Sequence, residues 1–155
     1  MGIVQSDGKG GVLLSDGKWY NQFTGKPLYT TTKHKRYRAT AVILDDNKVL
    51  LVRDRGKHDY SLPGGGFKRH ESTIQAGARE VAEELGIKVI SSKRLKDCDI
   101  SGKRAFHKVC LIEIDKTYKP YLKSNEIDDF VWWDMKQGLR TQGHVMGILK
   151  KLGIL

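Results

Sequence analysis

The chain has 155 residues, with 28 Lys and Arg against 18 Asp and Glu and a formal net charge of +10 at pH 7. A chain of this length buries enough surface to fold without a metal or disulfide staple, and its hydrophobic content of 39% excludes a disordered protein. No apolar run approaches the ~20 residues of a membrane-spanning helix, and the start of the chain lacks a signal-peptide layout, so we expect a cytoplasmic protein without a membrane partner.

The first 35 residues are predicted to form a small β-hairpin extension. They are rich in Gly, Thr, Ser and Lys, and the run Ser-Asp-Gly-Lys occurs twice, at residues 6–9 and 15–18. Because Asp-Gly is a tight-turn signal, the apolar residues beside these turns are expected to form one or two short hairpins. We place the main domain at residues 36–155.

The main domain begins with a predicted β-hairpin. Residues 37–44 form one strand pattern, residues 45–47 a turn signal, and residues 48–53 a second, strongly apolar strand. A polar loop at residues 56–59 then leads to three consecutive glycines at residues 64–66. Helical spacing begins only after these glycines.

The remainder of the domain alternates between strands and helices. Beyond the central helix, the pattern predicts three strands, at residues 88–96, 104–114 and 127–133. A final amphipathic helix begins at Thr141 and ends at Gly153. The order of hairpin, helix, strands and helix predicts an α+β domain in which a mixed β-sheet lies between two helices, an α/β/α sandwich.

The central helix is predicted to separate apolar and acidic residues. On a helical wheel its apolar residues share one face: Ile74, Ala78, Val81, Ala82 and Leu85. The opposite face carries Glu80, Glu83 and Glu84. Like charges at these spacings destabilise a helix by a few tenths of a kcal/mol per pair, and a bound divalent cation would offset that repulsion. Gly86 follows as a predicted left-handed cap.

Residues 65–87 resemble the signature of the Nudix hydrolases. That signature is Gly, five residues, Glu, seven residues, then Arg-Glu-apolar-x-Glu-Glu-x-Gly-apolar, and all nine specified positions are filled here. With ordinary residue frequencies, such a match arises by chance on the order of once in ten million chains. The flanking segments agree as well, so the resemblance extends from residue 37 to the end of the chain.

The resemblance implies hydrolysis of a nucleoside diphosphate that is linked to another group. In that family, water attacks a phosphorus atom with the help of Mg²⁺ or Mn²⁺. The positions that match the metal ligands are Glu80, Glu83, Glu84 and the carbonyl of Gly65. Metal ions of this kind neutralise phosphate oxygens and lower the pKa of a bound water.

The resemblance also implies roles for several other residues. Arg79 and Glu71 match the pair that braces the glycine loop against the helix, and Gly86 matches a structural position. For the general base we favour Glu83 or Glu80 within the helix. Glu126, which precedes a predicted strand, is the alternative from outside the helix.

Substrate contacts are expected from cations and one aromatic residue near the first hairpin and the later strands. The candidates are Arg38, Arg53, Lys57 and Phe106. The sequence motifs that mark ADP-ribose hydrolases and NADH-cleaving enzymes of this family are absent. We therefore expect nucleoside triphosphates, including damaged ones, as the first substrate class.

The uneven charge leaves two alternatives open. Residues 91–123 hold nine basic against four acidic residues, and residues 1–35 hold five against two. A basic surface attracts polyanions, so the substrate could be a 5′ RNA end, as in decapping or RNA pyrophosphohydrolysis. A nucleic-acid-binding module without catalysis is the second alternative. The oligomeric state stays open, a homodimer included.

Overall fold

The computed structural model describes residues 3–6, 8, 10–15, 19–25 and 36–155. The chain divides into two compact units between residues 34 and 35. In the first unit, β1 (Ile3–Ser6), β2 (Gly11–Leu14) and β3 (Trp19–Asn21) form an antiparallel three-stranded sheet in that order. Asp7, Asp16 and Gly17 of the two predicted turns lie outside the described residues.

The second unit contains two sheets and two helices. The first sheet comprises β4 (Arg36–Val42), β8 (Gly64–Gly66), β9 (Val89–Arg94), β10 (Ile100–Ser101) and β11 (Ala105–Ile114). The second comprises β5 (Leu44–Asp45), β6 (Lys48–Asp54), β7 (Tyr60–Ser61) and β12 (Ile127–Trp133). The helices are α1 (Thr73–Leu85) and α2 (Gly143–Leu152), with a short 3-10 helix at Lys96–Cys98.

The predicted hairpin of residues 37–53 is wrong in its pairing. Strand β4 pairs in parallel with β11 and antiparallel with β8. Of the predicted first strand, the part that pairs with β6 is the two-residue strand β5. The chain thus passes from one sheet to the other at Ile43. Successive residues Ala41, Val42 and Ile43 are all fully buried, and a strand covered on both faces takes a central position in its sheet.

Two hydrophobic clusters hold the helices to opposite faces of the sheets. Alternate residues of β4 and β6 contribute to each, so that Ala41 and Leu50 pack in the cluster that contains Val81 and Leu85 of α1. Val42, Val49 and Leu51 pack instead with Val145, Ile148 and Leu149 of α2. The α+β class with mixed strands between two helices is therefore confirmed, although the strands divide into two sheets.

The second half of the domain follows the predicted elements closely. Strand β12 has the predicted bounds, and α2 begins two residues after Thr141. Gly153 caps α2 with a φ of 84°, in the left-handed region. No helix among the described residues has the length and apolarity needed to cross a membrane.

Two buried histidines stack between β11 and α2. The rings of His107 and His144 lie 4.0 Å apart at an interplanar angle of 18°, and the Thr40 hydroxyl lies 2.8 Å from His107 Nδ1. Within the described ranges of the chain, His144 Nε2 has no hydrogen-bond partner. Burial lowers the pKa of both rings, that of His107 to about 4, and the nearby Arg38 guanidinium acts in the same direction. Both rings are therefore neutral at pH 7.

Because of this buried pair, we expect the wild type to lose stability in acid and His144→Phe to relieve that loss. A histidine in the unfolded chain has a pKa of about 6.5. Below that pH, His144 is protonated in the unfolded wild type but stays neutral in the folded protein, so acid favours unfolding. The free energy of unfolding of His144→Phe relative to wild type should therefore rise by about 1.4 kcal/mol for each pH unit from about 6 down to 4. Urea unfolding across this range measures it. A difference that stays constant from pH 8 to pH 4 would contradict the prediction.

Candidate metal and catalytic site

Helix α1 places the three glutamates beside the glycine turn. Ser72 caps its start, because the Ser72 hydroxyl accepts from the Gln75 N–H and the Gln75 side chain accepts from the Ser72 N–H. The predicted cap at Gly86 is confirmed by its φ of 65°. The helix thus begins and ends at defined residues, and its last two turns carry Glu80, Glu83 and Glu84.

The expectation that all three carboxylates oppose the core is wrong for Glu84. The buried residues of α1 are Thr73, Ala76, Gly77, Val81, Glu84 and Leu85, and Glu84 is only 3% exposed. The helix approaches β11 closely at Gly77, where a Cβ atom would lie 2.6 Å from Cys110 Sγ. This contact sets the rotation of the helix and turns Glu84 inward, while Ile74 and Ala78 are only half-buried.

Glu84 is a buried carboxyl with charged neighbours of both signs. Burial raises its pKa to about 8, and the like charges of Glu80 and Asp54 act in the same direction. The Arg38 guanidinium and a hydrogen bond from the Gly64 backbone act in the opposite direction. A positive charge placed between these carboxylates would stabilise their ionised forms.

The carboxylate of Glu80 lies directly against Gly65. A Cβ atom on Gly65 would lie 2.5 Å from Glu80 Cδ and 2.6 and 2.7 Å from its two oxygens. Only glycine allows this approach, because such contacts are far shorter than van der Waals distance. The backbone of the glycine turn and the Glu80 carboxylate therefore form one face of the site.

Arg79 ties the turn, the following loop and the helix together. Its Nε donates to Glu71 Oε2 at 2.7 Å and its Nη2 to Glu71 Oε1 at 2.9 Å. Nη1 donates to Glu80 at 2.9 Å and to Glu83 at 3.2 Å, and Nη2 also reaches the Gly66 carbonyl at 2.9 Å. The Arg79 guanidinium holds the pKa of Glu71 down at about 2. A bidentate pair of this kind fixes geometry as well as charge.

These carboxylates suit a cation that keeps other ligands. Among the residues that the structure describes, no three His, Cys, Asp or Glu side chains form a ready-made cage for an ion. Mg²⁺ typically binds through one or two carboxylates and completes its shell with water or phosphate oxygens. Glu80 on Gly65 and the buried Glu84 provide such a pair, and Glu83 is 52% exposed beside them.

Two of the basic side chains expected to contact substrate interact with other groups of the protein. Arg38 Nη2 donates to the Leu62 carbonyl at 3.0 Å, which positions its guanidinium behind the glycine turn. Arg53 Nε donates to Asp128 at 2.9 Å, and its guanidinium lies 5.4 Å from the centre of the Tyr60 ring. Their roles in substrate binding stay predictions.

The other predicted residues lie at the edge of this region. Lys57 is exposed in the turn after β6, and Phe106 packs edge-on against Tyr37 with ring centres 5.8 Å apart. Glu126 is exposed just before β12, where its carbonyl accepts from the Arg55 N–H at 2.8 Å. The structure thus joins Glu80 and Glu83 through Arg79, and it places Glu84 near enough to Glu80 for their charges to interact. Glu126 lies outside α1.

Sequence reasoning missed Asp54. This residue ends β6, pairs with Ile127 of β12, and acts as a like charge on Glu84. Asp54 is an acidic residue at the end of an apolar strand, and that position is the sequence signal that could have identified it.

Comparison with known proteins matches most of the chain to one family. The NUDIX domain model matches residues 34–146. The mRNA-decapping enzyme subunit 2 of Saccharomyces cerevisiae is 32% identical over an alignment of 109 residues that covers 65% of this chain and 11% of that protein. Nudix hydrolase 13, mitochondrial, of Arabidopsis thaliana is 32% identical over 63 residues, 40% of this chain and 31% of that protein. The chain thus spans about a tenth to a third of the length of these relatives.

A solved structure supports the same fold. A protein from Chromobacterium violaceum, assigned to the nudix hydrolase family, aligns with a TM-score of 0.66 and 27% identity. The alignment covers 80% of this chain and 81% of that one. An alignment of that extent spans most of the second unit.

Proposed function

The chain belongs to the Nudix family, and on that premise we propose that it is a hydrolase of pyrophosphate bonds that acts on nucleoside diphosphate-linked substrates with Mg²⁺ or Mn²⁺. One observation carries the proposal. Glu80 and Glu84 converge with the Gly65 turn, and Arg79 holds that turn to the same helix. The arrangement concentrates negative charge where a cation and a diphosphate would meet.

Each residue has a distinct part in the proposed reaction. Glu80, Glu84 and the Gly65 carbonyl would hold the cation, which when bound neutralises phosphate oxygens and acidifies a water. Glu83 would remove a proton from the attacking water, and its exposure and its hydrogen bond from Arg79 support that role. Arg79 itself fixes Glu80 and Glu83 relative to the turn, so that the reacting groups are held in line.

The first proposed substrates are nucleoside triphosphates, including damaged ones, which would yield a nucleoside monophosphate and pyrophosphate. A second candidate is the 5′ end of an RNA. The 32% identity with proteins named mRNA-decapping enzyme subunit 2 and m7GpppN-mRNA hydrolase favours it, as does the surplus of basic residues at 91–123. Both candidates use the same bond cleavage at the same carboxylates.

A substrate panel tests the proposal. The full chain is assayed with Mg²⁺ or Mn²⁺ on canonical and damaged nucleotides, dinucleoside polyphosphates, nucleotide sugars, and capped or 5′-triphosphate oligonucleotides. We expect hydrolysis of at least one class, complete loss of activity in EDTA, and recovery when Mg²⁺ is restored. Activity that persists in EDTA, or a panel without any turnover, would contradict the proposed function.

A further inference from the structure

A cleft separate from the metal carboxylates opens at the start of β4 and α1. It has a volume of about 660 Å³, and its lining includes Arg36, Tyr37, Phe67, Glu71, Ser72 and Lys108. Ligand pockets commonly have volumes of 300–1,000 Å³. The size therefore suits a ligand as large as a nucleotide.

Three aromatic residues stand side by side at this end of the first sheet. Tyr37 of β4 pairs with Phe106 of β11, and their rings meet edge to face. Phe67 follows Gly66, the residue of β8 that pairs with Arg38 of β4. Although Tyr37 lies on a strand within the sheet, it is 60% exposed. Its ring is thus held by Phe106 and still accessible from the cleft.

A lysine is held between two of these rings. The ammonium of Lys108 lies 4.8 Å from the centre of the Tyr37 ring and 5.8 Å from that of Phe67. The parallel register sets this contact, because Lys108 pairs with Ala39, two residues beyond Tyr37. Cation–π attraction orients the ammonium without using up its three donors.

The two basic residues of the cleft have no ion-pair partner in the described part of the chain, because neither Arg36 nor Lys108 lies within ion-pair distance of an acidic residue there. Glu71, the acidic residue of the lining, is already paired with Arg79. The first turn of α1, which starts at Thr73, contains no acidic residue, so its positive dipole end adds to the same field. An anion with an aromatic part matches this lining.

We propose that this cleft binds a nucleotide unit, with its base stacked on the exposed ring of Tyr37 and its phosphate bound by Lys108 and Arg36. Aromatic side chains stack on any base, and basic side chains bind its phosphate. The nucleotide can belong to a small substrate or to the chain of an RNA substrate. The choice of a nucleotide rests on the proposed function. Glu71, which lines the cleft, is paired with Arg79, and the Arg79 guanidinium also pairs with Glu80 and Glu83.

Binding in the absence of metal tests the cleft by itself. Adenosine 5′-monophosphate and a five-nucleotide single-stranded RNA are titrated calorimetrically into the full chain in EDTA. Tyr37→Ala should weaken binding about tenfold and Tyr37→Phe should restore it. Lys108→Ala should reduce the slope of log affinity against log salt for the RNA by about 0.7. Tyr118→Ala and Lys150→Ala, an exposed tyrosine and an exposed lysine elsewhere in the domain, are the matched controls.

The possible outcomes distinguish a small substrate from an RNA chain as the source of the nucleotide. They also test the nucleotide cleft separately from the proposed hydrolase function. Comparable affinity for both probes identifies the nucleotide of a small substrate, whereas RNA binding at least tenfold tighter identifies an RNA chain. Affinity for both probes that Tyr37→Ala leaves unchanged, or that the control variants lower equally, overturns the inference. Glu80→Gln should bind both probes like wild type. Tyr37-dependent binding without any hydrolysis would count against the proposed function alone.

Discussion

Replacing Glu80 with glutamine is expected to lower kcat/KM by about 10²- to 10³-fold while the fold is kept. Glutamine preserves the shape of the side chain and an acceptor for Arg79 Nη1, which donates to Glu80 at 2.9 Å. It removes the negative charge that lies against the Gly65 turn and that would hold the cation. Steady-state hydrolysis of the best panel substrate, together with thermal melting, measures the effect.

Glu113→Gln is the matched control, because Glu113 is an exposed acid on β11; it should retain wild-type activity. Gly65→Ala tests the same contact by a steric change, since its Cβ would lie 2.5 Å from Glu80 Cδ and displace the carboxylate. The two changes disturb the same group, so the double variant should lose little more than either single one. Activity of Glu80→Gln within threefold of wild type would remove Glu80 from the site.

Glu83→Gln is expected to lower kcat by about 10²- to 10⁴-fold, whereas Glu126→Gln should lower it less than about fivefold. Glu83 extends from the same helix as Glu80 and is held by Arg79 at 3.2 Å. Glu126 is exposed on a separate element beside Arg55. A residue fixed relative to the cation ligands can take the proton from water in a reproducible geometry, and an exposed loop acid cannot.

The sizes of the two losses distinguish the two carboxylates. The kcat of both variants is measured at saturating substrate and saturating Mg²⁺, so that weaker binding of either does not add to the effect. Circular dichroism establishes that both variants are folded. If Glu126→Gln shows the larger loss, the general base lies outside α1 and the assignment to Glu83 is wrong.

Local signals account for the elements that sequence analysis predicted well. Gly86 and Gly153 have left-handed φ angles because a helix ends most easily at a residue without a side chain. The bounds of β12 follow from an apolar run between polar segments. The spacing of the three glutamates is likewise a local signal, because a single helix determines which of their side chains lie near one another.

Contacts between distant segments account for what the sequence did not reveal. The inward position of Glu84 depends on the close approach of Gly77 to Cys110 across the helix and sheet. The juxtaposition of Tyr37 and Lys108 depends on the parallel register of β4 and β11. The spacing of residues within one segment cannot predict either contact, because each contact depends on a second segment that is distant in the sequence.

The parallel pair of β4 and β11 also constrains the order in which the site is assembled. Strand β8, which includes Gly65, is hydrogen-bonded to β4, and β4 aligns Arg36 with Ala105, a residue 69 positions later. Closing a loop of that length is entropically costly, and domains built on such distant pairings fold slowly. During synthesis from the N-terminus, β8 and α1 emerge well before β11 does. The glycine turn and its carboxylates therefore reach their final geometry late, only after β11 has been made.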